Sequence, residues 1–364
     1  MQINPAELSR HLQGALQPLY MVCGNEPLLL QEAADAIRAA ARAAGFGARS
    51  VHVASGARFD WSEVLAASQS LNLFADRQLL EIRIPSGKPG KAGSDALQQL
   101  AAAAAGNAAT LTLVLLPQLD QRTRATAWFA ALAKAGAIVS VASIGRNQLP
   151  GWIAQRLAAQ GQRVADGAEG QRTLQFFVDR VEGNLLAAHQ EIQKLGLLYP
   201  PGVLRWEQVR QSVLDVARYD VFELSHAVLG GEPGRVLRML DGLQAEGASP
   251  VLVHWSLADD IQALVHVKAA MAAGTPLPMA LRQNRVWGPR ERLIERVLPR
   301  ISERRAVRLL RAAHQVDGVI KGLHHPRWPA DPWQALARLA IVLCRQCRPG
   351  HLQRQPAAHQ AHPV

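Results

Sequence analysis

Leu19-Tyr20-Met21-Val22-Cys23-Gly24-Asn25-Glu26-Pro27-Leu28 decides the fold. Five apolar residues stop at a glycine, and a helical pattern follows at once, with Leu30, Ala33, Ala34, Ile37 and Ala41 on one face. An unalternating apolar run predicts a strand buried on both faces, and the spacing after it predicts an amphipathic helix. Asn25 is the expected N-cap, and Pro27 suits the first turn, where its missing N–H costs nothing. The alternation recurs to about residue 145. Strands are expected at 49–53, 78–84, 110–116 and 137–141, with helices at 61–68, 95–105 and 122–134. Such an order means a mostly parallel sheet covered on both faces, an α/β domain.

In a sheet of this kind the turn after the first strand is where nucleotide chemistry is placed. Glycine amides and a helix N-terminus cradle phosphates, a lysine reaches them, and a Ser/Thr hydroxyl holds magnesium. Here Gly24 to Leu28 offers no second glycine, no lysine and no hydroxyl. Glu26 puts negative charge where phosphates would sit, and Pro27 deletes an amide donor. The acidic motif for magnesium is missing as well, because the strand at 110–116 runs into Pro117-Gln118-Leu119. Gly87-Lys88-Pro89-Gly90-Lys91-Ala92 has the wrong glycine spacing, and Ala92 stands where a hydroxyl is required, so a flexible loop is expected there. No G-x-S-x-G elbow and no H-E-x-x-H occurs, and the twelve histidines lack ligand spacing. Three cysteines make no disulfide framework, and Cys344-Arg-Gln-Cys347 lacks the second ligand pair that zinc needs, so two half-buried helix positions are expected. Neither cofactor nor metal is expected, and a catalytic reading has nothing to rest on.

Beyond Pro150 no further strand is expected. Helical periodicity covers 151–160, 171–181, 185–197 and 205–215, with Asn184 as an N-cap and Tyr199-Pro200-Pro201-Gly202 as the clearest turn. From about residue 219 the pattern is helical throughout, at 221–229, 233–245, 250–273, 290–298, 303–320 and 331–345, which makes a separate all-α domain. The chain of 364 residues, 49% hydrophobic, thus reads as residues 1–145, 146–215 and 216–347, followed by a Pro/Ala/Gln-rich tail at 348–364 that is expected to be disordered. Residues 1–14 carry neither a basic nor an apolar leader pattern, and no apolar run approaches a membrane span, so a soluble cytoplasmic protein with no membrane partner is expected. The net charge of +11 points to a polyanionic partner such as nucleic acid. Ten arginines between Arg282 and Arg311 meet only Glu291, Glu295 and Glu303. Arg285 and Arg290 around Trp287 suit phosphate contact with an aromatic stacking platform; the competing reading is a solvated helix face with Trp287 in the core.

Gln69-Ser70-Leu71-Asn72-Leu73-Phe74 lies between the helix at 61–68 and the strand at 78–84. Three large apolar residues in a loop need a cover. They either pack back on the domain's own core or plug a partner's pocket, with Leu73 and Phe74 as anchors and Gln69 bonding at the rim.

Taken together, Gly24 to Glu32, Ser70 to Gln78, Ala127-Trp128-Phe129-Ala130-Ala131-Leu132, Glu182-Gly183-Asn184-Leu185-Leu186-Ala187 and Arg285-Val286-Trp287 resemble the delta subunit of the bacterial DNA polymerase III clamp loader, up to about residue 347. The resemblance implies an AAA+ type parallel-sheet domain with a degenerate nucleotide site, a small helical lid domain and a C-terminal helical collar domain that joins a hetero-pentameric ring. It implies that Leu73 and Phe74 enter the hydrophobic pocket of the sliding clamp, the beta subunit, that Leu71 adds apolar contact, and that Gln69 matches the glutamine heading many clamp-binding peptides. Asn72 departs from the small or acidic residue often found there. The family's aromatic DNA contact near the collar's end has no counterpart in Gly322-Leu323-His324-His325. The implied partners are the clamp, the ATPase and delta-prime subunits, and primed DNA. The implied role is that of a non-catalytic wrench within a DNA-directed DNA polymerase, a nucleotidyltransferase holoenzyme: binding an opened clamp better than a closed one shifts the ring towards opening. An active AAA+ ATPase would need the phosphate loop that is missing. A clamp-independent DNA-binding helical scaffold would use the arginines and leave Leu73 and Phe74 without purpose.

Overall fold

A computed structural model describes residues 1–56, 58–69, 77–214, 217 and 219–348 of the protein. The expected tail beyond Arg348 lies outside these residues. Two compact units emerge, the first made of Met1–Val178 and Leu185–Val213, the second of Asp179–Asn184 and the chain from Leu214 onward.

The first unit is built on six strands, β1 (Gln2–Ile3), β2 (Leu19–Gly24), β3 (Ala48–Val53), β4 (Gln78–Arg83), β5 (Thr110–Leu116) and β6 (Ala137–Val141), in the order β1-β6-β2-β5-β4-β3. All pairs are parallel, so each strand connects to the next through a crossover. The crossovers are α1 (Leu8–His11), α2 (Pro27–Ala43), α3 (Trp61–Gln69), α4 (Gly90–Ala104), α5 (Gln121–Arg124) and α6 (Ala127–Ala135). Alternate strand residues feed two cores. Leu19, Met21, Leu80, Ile82 and Val114 meet Trp61, Val64, Leu97 and Trp128 on one face, while Tyr20, Val22, Leu79, Leu111 and Leu113 meet Ala34 and Ile37 on the other. That double burial is why these strands read as solid apolar runs.

After β6 come α7 (Leu149–Ala159), β7 (Gln162–Val164), α8 (Gly167–Val181), α9 (Leu185–Leu198), β8 (Gly202–Leu204) and α10 (Trp206–Ser212). The parallel pair β7–β8 corrects the expectation that strands stop at Pro150. Three residues each are too few to show a period. Further corrections are local. Glu26, not Asn25, is the N-cap of α2, and Asn25 instead accepts a 2.7 Å hydrogen bond from Ser143 Oγ. The stretch expected as a loop at 87–92 ends in the first turn of α4, which starts at Gly90. The helix expected at 122–134 is two helices.

The second unit is helical: α11 (Val221–Gly230), α12 (Pro233–Ala245), α13 (Pro250–Ala272), α14 (Leu277–Gln283), α15 (Pro289–Val297), α16 (Glu303–Ile320) and α17 (Pro332–Cys347). Val253, Leu257, Ile261 and Leu264 of α13 pack in one core with Leu309, Ala313 and Val316 of α16 and Leu336, Leu339 and Leu343 of α17. Only α14 was not expected, a seven-residue helix framed by Pro276 and Asn284.

Charge enters the sheet core at Glu81, which is fully buried in the middle of β4 on the α2 side. Arg38 of α2 donates to its two oxygens at 2.9 Å each, Arg49 of β3 at 2.8 and 3.1 Å, and Arg83 at 2.8 Å. Burial pushes the Glu81 carboxyl up, but the guanidinium hydrogen bonds, Arg38 first, outweigh it and hold the group below the usual carboxylate range. The sign for stability follows: the contribution is present above the unfolded pKa of ~4.3 and is lost as pH falls through the lower folded value. Glu81→Gln should cost ~3 kcal/mol near neutral pH, because it leaves the buried Arg38 with only the exposed carboxylate of Asp35 as counter-charge. The thermal midpoints of wild type and variant should converge as pH falls below about 4.3 and that contribution is lost; parallel midpoint curves would contradict the assignment.

Candidate functional site

The turn that would hold a nucleotide is packed against the sheet's own backbone. A Cβ on Gly24 would lie 2.5 Å from the Val141 carbonyl oxygen, so only glycine fits where β2 leaves beside β6. Pro27 opens α2, and the Glu26 side chain stands at its N-terminus, where burial pushes the carboxyl up against the opposing pull of the Leu28 amide. The helix end that attracts phosphate in nucleotide sites therefore faces a carboxyl group here. Neither the end of β5, Pro117-Gln118-Leu119, nor that of β4, Ile84-Pro85-Ser86, supplies a metal-binding carboxylate. Next to this turn lies a cleft of about 1230 Å³, lined in part by Ile3, Leu8, Leu29, Ser143 and Trp152. A bidentate ion pair crosses it, with Arg156 of α7 donating to both oxygens of Glu32 of α2 at 2.7 and 2.6 Å and lying over the Trp152 ring. α2 and α7 are thus joined directly by their own side chains.

Gln69 is the last residue of α3 and is exposed. Leu71, Leu73 and Phe74 lie outside the described residues. Their flanks are fixed, since α3 ends at Gln69 and β4 begins at Gln78.

The arginine-rich stretch separates into two groups. Arg282, Arg285 and Trp287 are exposed in and beside the turn after α14, and Trp287 is 62% exposed where a core position was the competing reading. Arg285 has φ +55, the left-handed position that closes a helix: the Val286 amide bonds to Leu281 O at 3.0 Å and Val286 itself is buried. An arginine in a slot that favours glycine costs on the order of 1 kcal/mol of strain. Arg290 goes the other way. Its Nε donates to Asp260 of α13 at 2.8 Å, and its Nη2 lies 2.6 Å from Asp259. Asp260 is 1% exposed; burial pushes its carboxyl up, against the pull of Arg290. Arg290 is therefore committed to the fold of the second unit, and the structure does not bring it to a surface with Arg285 and Trp287. Its partner was missed, although Asp260 stands on the same helical stripe as Leu257, Ile261 and Leu264, a core position that a carboxylate occupies only with a cation.

Cys344 and Cys347 are fully buried on one face of α17, not half-buried as expected. Burial pushes their thiols up to about 11 and about 12, which leaves them neutral packing groups. Among the described residues no group of His, Cys, Asp and Glu could hold a metal ion, and no helix is long and apolar enough to cross a membrane.

A six-stranded parallel sheet covered by helices, followed by a second, all-helical unit, defines the class: an α/β domain joined to a helical one. The family model described as DNA polymerase III, delta subunit, matches residues 20–142, and that described as the processivity clamp loader gamma complex DNA pol III C-term matches residues 221–350. The chain is 32% identical to the DNA polymerase III subunit delta of Escherichia coli over 350 residues, covering 95% of this chain and 97% of that one. It is 25% identical to the subunit of the same name from Haemophilus influenzae, covering 94% and 99%. Among solved structures, the Bacillus subtilis DNA clamp loader delta protein superposes with a TM-score of 0.50 at 18% identity, over 94% of this chain and 99% of that one, which speaks for the fold. The chain belongs to the DNA polymerase III delta-subunit family.

Isothermal titration with millimolar ATP or ADP should show no binding to the protein, because a carboxyl group and a proline replace phosphate donors. A micromolar dissociation constant would contradict this reading of the turn.

Proposed function

We propose that this protein is the subunit that binds the sliding clamp and opens its ring for loading on primed DNA, and that it contributes binding and no chemistry. The observation that carries the reading is the apolar segment Leu71-Asn72-Leu73-Phe74, headed by exposed Gln69, in the short connection from α3 to β4 of a delta-family chain. Leu73 and Phe74 enter the hydrophobic pocket of the beta clamp, Leu71 adds apolar contact and Gln69 bonds at the rim. Residues 1–145 carry this segment, 146–215 form the lid, and 216–347 form the collar that joins the ATPase and delta-prime subunits in a cytoplasmic hetero-pentamer. No nucleotide-hydrolysis site of its own is required, since the ATPase subunits switch the segment between hidden and offered states. The ring opens because its opened form binds better than its closed form, a population shift limited by the difference in affinity.

DNA contact in the second unit rests on Arg285 and Trp287, with exposed Arg282 beside them; Arg290 supports the helix behind. Replacing Arg285 and Arg282 with glutamine should flatten the salt dependence of primed-DNA binding by the assembled loader by about one unit per lost contact. An unchanged slope would remove these residues from the interface.

Burying one leucine and one phenylalanine contributes roughly 1.5 to 3 kcal/mol each before ordering costs. Leu73→Ala with Phe74→Ala should therefore weaken clamp binding at least about a hundredfold, at 1.4 kcal/mol per factor of ten. Assembly with the ATPase subunits and the melting temperature should both hold. A loss of several degrees in melting temperature would make the pair core residues, and unchanged clamp binding would place the contact elsewhere.

A further inference from the structure

Positive charge gathers in the second unit where α15 ends, α16 begins and α17 ends. Arg300, just after α15, donates from Nη1 to Cys347 O at 2.7 Å, and Arg305 in the first turn of α16 donates from Nη1 to Gln346 Oε1 at 3.3 Å. These two bonds pin the three helix ends together. Around them stand Arg296 in the last turn of α15, Arg304 and Arg308 one turn apart on α16, and Arg345 in the last turn of α17, all four exposed. Arg308 lies three residues from Arg305 and four from Arg304, so the three share a helix face. Burial dominates at the Cys344 and Cys347 thiols, yet Arg348 and Arg345 act on the first, and Arg300 and Arg296 on the second. Cations from α15 and α17 therefore lie within electrostatic range of one helix end. Among the described residues, no carboxylate pairs with Arg296, Arg304, Arg308 or Arg345. The acids nearby are Glu295 and Glu303 on the same helices, and Glu232, which is paired with Arg235 at 3.5 Å. Between Trp287 and Leu323 no large apolar side chain is exposed, and the second half of α17 adds only Val342.

We propose that Arg296, Arg304, Arg308 and Arg345 form a surface for the phosphate backbone of DNA, built on other elements than the turn that carries Arg285 and Trp287. The proposal rests on the reading above that the protein works on primed DNA. Like charges held together on one surface repel each other, and a polyanion relieves that repulsion. Guanidinium groups suit phosphate because their paired N–H donors meet two oxygens at once. A protein segment would ask for an apolar anchor as well, and this surface offers almost none. No aromatic side chain stands among the four arginines to stack a base, so the surface holds the backbone and reads no sequence. Arg300 and Arg305 are positioning residues, since their donors are spent on α17.

The test is fluorescence anisotropy of a labelled primed oligonucleotide titrated with the full chain over a series of salt concentrations. Arg304→Gln with Arg308→Gln and Arg345→Gln should weaken binding at least about tenfold at ~0.1 M salt and flatten the salt slope by about two to three units. The same three positions changed to lysine keep the charge and should keep the slope. Melting temperatures should hold in both variants, because the three side chains are exposed and unpaired. An unchanged slope in the glutamine variant, beside a flattened one in Arg282→Gln with Arg285→Gln, would overturn this surface and leave the other contact standing. Unchanged slopes in both, or no DNA binding by the wild-type chain, would overturn every DNA contact assigned to the second unit. The clamp-binding reading is judged separately, by Leu73→Ala with Phe74→Ala. Displacement of the DNA by poly-glutamate at equal charge concentration would overturn the assignment to phosphate in favour of an acidic protein. Should the triple glutamine variant melt lower, Arg345→Gln alone decides: a slope flattened by about one unit is expected, and an unchanged one would overturn the surface.

Discussion

Parallel pairing of all six strands is the constraint on which the first unit depends. Each strand must be reached again from the same end, so every connection climbs one face by a helix, and the sheet acquires two rims of different kinds. Strand-to-helix turns gather at the carboxyl rim, where α/β sheets place their ligand sites. Helix-to-strand turns gather at the amino rim. The turn from Gly24 to Leu28 belongs to the first rim, and the end of α3 at Gln69 and the start of β4 at Gln78 belong to the second. The same pairing buries both faces of the central strands and so dictates their composition.

That constraint also governs how much could be read from the sequence. Strands β2, β4, β5 and β6 were legible because two-sided burial leaves a continuous apolar run, and β3 because it lies beside them in the alternation. Strands β1, β7 and β8 were not, since two or three residues carry no period and owe their pairing to chain placement. Of the site, the residue types at the turn from Gly24 to Leu28 were legible, and the structure adds that Pro27 opens α2 with Glu26 as its N-cap. Residue type alone misled at Arg290, whose fate is set by Asp259 and Asp260 thirty residues earlier, a pairing that only the fold of the helical unit creates. The N-cap shifted from Asn25 to Glu26 for a comparable reason: Asn25 Oδ1 is taken by Ser143, a partner more than a hundred residues away.

The buried ionic groups share one logic. Glu81 of β4 among three arginines, Asp260 of α13 with Arg290, and Glu182 in the turn after α8 with Arg235 each bury a carboxylate, and each is matched by a guanidinium from another part of the chain. Such pairs contribute little net stability against an apolar alternative, but they penalise any arrangement that separates the partners. Glu26 stands at the N-terminus of α2, and Arg156 and Glu32 pair across the adjoining cleft.

The most direct measurement is ring opening without nucleotide. A clamp carrying a distance-reporting fluorophore pair across its dimer interface would be titrated with the protein alone, in the absence of ATP and of the other loader subunits. If the protein is a wrench that selects the opened ring, the interface distance should increase as the protein is added and saturate with its binding. Saturated binding with an unchanged interface distance would contradict that account.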